Sequence, residues 1–167
     1  MKVVRAGSAL LAVFAIVSLL FSTALSRAGD NVASGPLDGM VFSGKIGTKG
    51  GHRLDDELHF RDGKFWSEYC TRCGLPPGDY WVRNVGDEIH FRGTLVGKPG
   101  TFIYEGRIVD GKATASVSWS KERWYWTINR ELEFSGSLKL TGQSMSVADA
   151  LKTASTSSPE QLAQCNR

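Results

Sequence analysis

The stretch from Asp87 to Val109 constrains the fold more than any other part of the sequence. Two alternating apolar runs flank a Gly-Lys-Pro-Gly turn at 97–100, a pattern typical of an antiparallel hairpin. The predicted facing pairs are Ile89 with Ile108, Phe91 with Gly106, Gly93 with Tyr104, and Leu95 with Phe102. Because glycine permits a sharp bend and a facing aromatic ring covers the exposed backbone, this hairpin is suited to a strongly coiled sheet.

The same aromatic-x-Gly-x-aliphatic pattern recurs at 42–46 and 134–138, and Asp-Gly pairs at 62–63 and 110–111 are strong signals for tight hairpin turns. Eight alternating runs are predicted as strands: Met40–Ile46, Glu57–Arg61, Lys64–Tyr69, Asp79–Asn84, Asp87–Val96, Thr101–Val109, Lys112–Ser120 and Thr127–Leu140. Their even spacing predicts an all-β, eight-stranded antiparallel up-and-down barrel over residues 37–141.

One face of these strands is apolar throughout. The predicted interior residues are Phe42, Ile46, Leu58, Phe60, Phe65, Tyr80, Val82, Ile89, Phe91, Leu95, Phe102, Tyr104, Ile108, Val117, Leu132, Phe134 and Leu138. A barrel of this size is either filled by side chains or holds one small ligand. Glycines and alanines on the same face leave space that could form a cavity. By the same parity, Trp66, Trp81, His59 and His90 are expected on the outer face, with both histidines exposed.

The strand count, hairpin order and glycine-aromatic alternation over residues 38–140 resemble the lipocalin-like, or calycin, class of small exported barrels. The resemblance is one of fold, and no binding residue is carried over from it. It implies that a small, mainly apolar molecule binds inside the barrel.

The N-terminus has the layout of a secretory signal peptide. Lys2 and Arg5 precede the apolar run from Ala9 to Leu20, and small residues follow, so cleavage is expected after Ala28 or after Ala24. The interpretation is a signal peptide at 1–28, a flexible lead-in at 29–36, and export to the periplasm or the extracellular space, with no membrane span after cleavage. An uncleaved membrane anchor is the alternative.

Removal of residues 1–28 takes away three cations and no acid, which leaves 17 of the 20 basic side chains against 17 acidic ones. The mature chain therefore has no net charge, and its composition favours neither nucleic acid nor an anionic membrane as a partner. Its length suits one domain, which we expect to be a monomer.

Three cysteines, Cys70, Cys73 and Cys165, are present in a chain expected to reach an oxidising compartment. We expect Cys165 to bond to Cys70 or Cys73 and so to anchor the C-terminal tail, 142–167, whose short helices are marginal alone. One helix is predicted after Ser146 and another after Ser158. The C-x-x-C spacing falls in a predicted loop. A bond between Cys70 and Cys73, metal or redox use, and free thiols remain alternatives; no metal or cofactor is predicted.

Two function classes follow from these features. The first is a non-enzymatic binding barrel for a small apolar or amphipathic molecule, and the second is a protein-interaction or inhibitor module that uses the aromatic loop at 124–126. An internal cavity of about a few hundred Å³ would favour the first class, and a packed interior with exposed Trp124 and Trp126 would favour the second. No catalytic group of nucleophile, base and orienting residue can be assembled from spacing. The candidate ligand-binding residues are Phe91, Phe102, Tyr104, Trp119, Trp124 and Trp126.

Overall fold

The barrel predicted from the sequence is present and closed. The structure, a computed structural model, describes residues 35–139, 145–158, 160–161 and 165, so the predicted signal peptide lies outside the described residues. Each strand pairs antiparallel with the next along the chain, and the first pairs with the last. The elements are β1 (Val41–Gly47), β2 (Arg53–Arg61), β3 (Lys64–Ser67), α1 (Glu68–Arg72), β4 (Gly78–Val85), β5 (Glu88–Gly97), β6 (Gly100–Val109), β7 (Lys112–Glu122), β8 (Thr127–Leu138) and α2 (Val147–Thr156).

The register of the central hairpin is confirmed. Gly93 lies opposite Tyr104 and Phe91 opposite Gly106 in the pairing of β5 with β6. The loop is tighter than the predicted four residues, because Gly97 pairs with Gly100 and only two residues remain between them. The predicted interior is confirmed as well, since all of its members are buried or packed against the core.

The glycines of this hairpin leave no cavity, contrary to one expectation from the sequence. A Cβ atom on Gly93 would lie 2.3 Å from the ring of Phe65, and one on Gly106 would lie 2.6 Å from the ring of Phe91. Aromatic rings therefore occupy the space that the missing side chains vacate. The middle of the barrel is a packed core.

One end of the barrel is closed by the segment that precedes β1. Leu37 is fully buried there, and the Asp38 carboxylate accepts hydrogen bonds from the backbone N–H of Gly63 at 2.9 Å and from the Tyr80 hydroxyl at 2.8 Å. The turns β2–β3, β4–β5 and β6–β7 lie at this closed end. The β1–β2, β5–β6 and β7–β8 loops lie at the opposite, open end, together with α1.

Two of the strand boundaries that differ from the prediction lie next to α1 or the cavity. β2 begins at Arg53 rather than Glu57. β3 ends at Ser67 rather than Tyr69, because the Ser67 hydroxyl accepts a hydrogen bond from the Cys70 N–H at 3.0 Å and so caps a five-residue helix. Cys70 therefore lies on α1, not in a loop as predicted.

Part of the outer face of β2 and β3 is buried. α2 begins after the predicted cap, Ser146, and packs against α1. Trp66 and His59 point outward by strand parity, yet they are 0% and 3% exposed and stack on each other at 5.1 Å between ring centroids. The expectation that His59 is exposed is wrong, because alternation along a strand shows which face a residue lies on and does not show whether that face is covered. No helix among the described residues is long and apolar enough to cross a membrane.

The packed glycine sites lead to a stability prediction. Gly106→Val should lower the free energy of unfolding by about 1–3 kcal/mol, because the new side chain must displace the Phe91 ring. Ser116→Val, at a neighbouring exposed position on β7, is the control and should change stability little. Urea unfolding followed by tryptophan fluorescence measures both. Equal stability of the two variants would contradict the packing described here.

Candidate ligand-binding site

A cavity of about 380 Å³ opens at the end of the barrel opposite Leu37. Strands β1, β2, β6, β7 and β8 form most of its wall, and α1 with the C-terminal segment completes it. The lining residues are Ile46, Gly47, Thr48, His52, Leu54, Tyr69, Phe102, Trp119, Arg130, Leu132 and Cys165.

The apolar side of the cavity is built around Phe102 and Trp119, which face each other across β6 and β7 with ring centroids 6.1 Å apart. The indole N–H of Trp119 donates to the Pro99 carbonyl oxygen at 3.1 Å, which fixes the ring at the β5–β6 loop. Leu132 of β8 and Ile46 of β1 extend this surface. The result is an apolar wall of the kind that small-molecule sites commonly have.

Arg130 supplies a cation at the rim of the same cavity. It pairs with Trp119 in the β7–β8 register, and its guanidinium carbon lies 5.5 Å from the centroid of the indole ring. This is a cation–π distance, so the attraction holds the charged group beside the apolar wall. A ligand in the cavity would meet aliphatic and aromatic surface along its length and a positive charge at one end.

The remaining wall depends on a disulfide. Cys165 is bonded to Cys73, with Cα atoms 5.8 Å apart, and it lines the cavity together with Tyr69 of α1. The prediction that Cys165 bonds to Cys70 or Cys73 is therefore resolved in favour of Cys73. Cys70 remains a free, fully buried thiol.

A polar network lies beneath α1, inside the barrel. The Asp56 carboxylate accepts hydrogen bonds from the Ser67 hydroxyl at 2.8 Å and the Tyr69 N–H at 2.9 Å, while the Cys70 sulfur and the Tyr104 hydroxyl are 3.2 Å apart. Burial raises the pKa of Asp56 to about 7 and that of the Cys70 thiol to about 12. A thiol held protonated in this way is a poor nucleophile and a poor metal ligand.

The predicted ligand-binding residues separate into three groups. Phe102 and Trp119 line the cavity, while Phe91 and Tyr104 lie in the packed core below it. Trp124 and Trp126 lie at the tip of the β7–β8 hairpin, at the same end of the barrel, and are 93% and 52% exposed. The hairpin tip therefore does not fold back over the cavity.

The sequence analysis missed two lining residues that carry chemistry. Arg130 follows the inward-facing alternation of Leu132 and Phe134, so strand parity alone would have found it. Tyr69 could not have been found in this way, because its position depends on α1, whose first two residues were predicted as the end of β3 and whose other residues were predicted as a loop.

Two other features of the barrel resemble binding sites, namely a hollow on its outer wall and a cluster of potential metal ligands. A hollow of about 560 Å³ on the outer wall is larger, but most of its lining residues are polar or charged, and Arg92 is paired with Glu105 at 3.4 Å. Ligand atoms of Glu57, His59 and Glu68 lie within 4.8 Å of one another, as in a metal site. Both carboxylates, however, already hold cations at 2.9 Å, namely Lys139 and Arg72, so we assign the trio to an ionic network.

No family model matches the sequence, and no curated protein or solved structure matches it significantly. The barrel itself is consistent with a calycin-like fold.

The buried carboxyl group leads to a pH prediction. Because the folded state holds the Asp56 proton up to about pH 7 and the unfolded chain releases it near 3.8, the contribution of Asp56 to stability should be greatest at low pH and fall as pH rises between those values. Subtracting the curve for Asp56→Asn isolates this effect, which should amount to a few kcal/mol, on the order of one per pH unit. Urea unfolding between these pH values measures it, and parallel curves for the two proteins would contradict a raised pKa.

The disulfide leads to a second prediction. Replacing both partners, in Cys73→Ser with Cys165→Ser, should lower the free energy of unfolding by about 2–4 kcal/mol, because the bond closes a loop with a sequence separation of 92 residues. Dithiothreitol should destabilise the native protein by a similar amount and leave the double variant unchanged. A native protein insensitive to the reductant, when mapping shows the bond to be reduced, would contradict the anchoring role of the bond.

Proposed function

We propose that this protein is an exported, non-enzymatic barrel that binds a small apolar or amphipathic molecule in the cavity at its open end. The observation that carries the proposal is the cavity of about 380 Å³ with Phe102, Trp119 and Leu132 in its wall. Cavities of this size and lining are typical of small-molecule sites. A cavity of a few hundred Å³ meets the criterion for the binding barrel. The packed middle of the barrel and the exposed Trp124 and Trp126 meet the criterion for the protein-interaction module, which is the second candidate function.

The shape of the interior limits the ligand. Phe65, Phe91 and Tyr104 fill the barrel below the cavity, so a ligand of the size of the cavity would remain in the open half. Arg130 at the rim favours an amphipathic molecule over a purely apolar one, because a polar end can meet the guanidinium while the apolar part contacts Trp119.

Two further observations support the proposal. The Cys73–Cys165 disulfide is consistent with the oxidising compartment that an exported protein reaches. Cys70, the one free cysteine among the described residues, is fully buried with a raised pKa, which argues against a thiol-based enzyme.

Two fluorescent probes test the proposal: the anionic 1-anilinonaphthalene-8-sulfonate and the uncharged Nile red. Both should bind the native protein with enhanced emission, and Leu132→Trp should weaken both by about tenfold or more, because the larger ring fills the cavity. Arg130→Gln should weaken the binding of the anionic probe only. Trp81→Ser, on the outer wall, is the control and should alter neither.

Ile46→Phe fills the same cavity from β1 and replaces Leu132→Trp if that variant does not fold. Urea unfolding verifies that each variant is native. The proposal is wrong if neither probe binds the native protein, or if both filling variants, once shown to be folded, bind the probes as the native protein does.

A further inference from the structure

The tip of the β7–β8 hairpin presents three aromatic rings to solvent. Trp124, Tyr125 and Trp126 are 93%, 61% and 52% exposed, and consecutive rings meet edge to face at 4.7 and 4.3 Å between centroids. The hairpin is tight, because the Arg123 N–H donates to the Trp126 carbonyl oxygen at 2.7 Å. Exposed apolar rings grouped in this way mark an interaction surface rather than part of the core.

Charged side chains lie in the turns at both ends of the barrel. At the closed end the three hairpin turns each carry an exposed aspartate, Asp62, Asp87 and Asp110, and two of these have a cation nearby, since Arg61 lies 3.8 Å from Asp62 and the exposed Lys112 follows Asp110 by two residues. At the open end the loops carry exposed cations. These are Lys49 in the β1–β2 loop, Lys98 in the β5–β6 loop and Arg123 beside the aromatic tip.

The acids near the open end do not cancel these cations. Glu68 is paired with Arg72 at 2.9 Å, and Asp55 with Lys45 at 2.7 Å, so each already has its own counter-charge. Glu122 at the end of β7 is flanked by Lys121 and Arg123. The described part of the open end thus combines a protruding aromatic tip with positive loops around it.

This combination matches the surface of an anionic bilayer. Tryptophan and tyrosine rings are favoured at the level of the lipid headgroups, where one part of the ring is apolar and the other wet. Lysine and arginine side chains near an anionic leaflet add an attraction that falls off within a Debye length. A protein partner would need a matching apolar pocket for each ring, whereas a bilayer interface accepts the tip without one.

We propose that the open end of the barrel docks on an anionic lipid bilayer, with the Trp124–Trp126 tip inserted at the headgroup level and Lys49, Lys98 and Arg123 against the lipid phosphates. In this orientation the cavity opens toward the membrane. The inference does not require that the cavity bind a ligand, since it rests on the tip and the loop charges alone.

Vesicle binding tests the inference. The native protein should bind vesicles of phosphatidylcholine with about one third phosphatidylglycerol at least about tenfold more tightly than vesicles of phosphatidylcholine alone, and about 0.5 M salt should weaken that binding. The double variant Trp124→Ser with Trp126→Ser should bind the anionic vesicles about tenfold or more weakly. The triple variant Lys49→Gln, Lys98→Gln and Arg123→Gln should lose as much affinity for them. Trp81→Ser, a 51% exposed tryptophan on the outer wall, is the matched control and should bind as the native protein does.

Quenching by brominated lipid gives a readout that a merely structural role would not change. Of the five tryptophans, Trp124 and Trp126 should account for the quenching, so the double serine variant should lose it while Trp81→Ser keeps it. Leu132→Trp, which fills the cavity, should still bind vesicles, and this separates the docking from the proposed ligand binding.

Three results would overturn the inference. The first is that the native protein binds anionic vesicles no better than neutral ones. The second is that Trp81→Ser loses as much vesicle binding as the tip variant. The third is that the native protein does not bind vesicles but binds a purified protein that the variant Trp124→Ser with Trp126→Ser no longer binds. That result would assign the tip to a protein interface.

Discussion

The packing of aromatic rings over glycines of other strands is the interaction on which the rest of the structure depends. Rings from Phe65 and Phe91 lie where the Cβ atoms of Gly93 and Gly106 would be, so the strands can bend sharply while their backbone stays covered. This bending lets eight short strands close on themselves and leaves no free sheet edge. The same rings fill the middle of the barrel. Closure and a central cavity are therefore incompatible in this sequence, and any bound molecule is confined to an end.

The two ends of the barrel differ because only one of them is sealed by the chain. Leu37 and the Asp38 hydrogen bonds close the first end. At the other end α1 covers only part of the opening, with the Asp56 network beneath it and the disulfide to Cys165 at its C-terminal end. The part that α1 leaves open is the cavity beside Trp119. The disulfide therefore has two roles, since it anchors a helical segment that is marginal alone and supplies one wall of the cavity.

Strand alternation was enough to predict the barrel, its register and most of its interior, because those features depend on local period-2 patterning and on tight turns such as 110–111. It identified Phe102 and Trp119 as candidate ligand contacts, and the structure places both in the cavity wall. It failed to predict two features of the region around β2, β3 and α1. His59 and Trp66 are buried although they lie on the outer face, and the helix that carries Cys70 begins with a capping hydrogen bond that the Ser67 hydroxyl accepts from the Cys70 N–H. Neither leaves a periodic signal in the local sequence.

Net charge was the least informative quantity, because an average over the chain hides where the charges lie. Two of the three aspartates at the closed end follow from turn chemistry: Asp62 and Asp110 have φ of 53° and 49°, a conformation that aspartate tolerates better than most residues and that tight hairpin turns require. The cations at the open end have no such local cause, since Lys49, Lys98 and Arg123 sit where the backbone sets no demand for lysine or arginine. Backbone conformation therefore explains Asp62 and Asp110, whereas the proposed docking rests on residues that the backbone does not explain, namely these three cations and the exposed rings at 124–126.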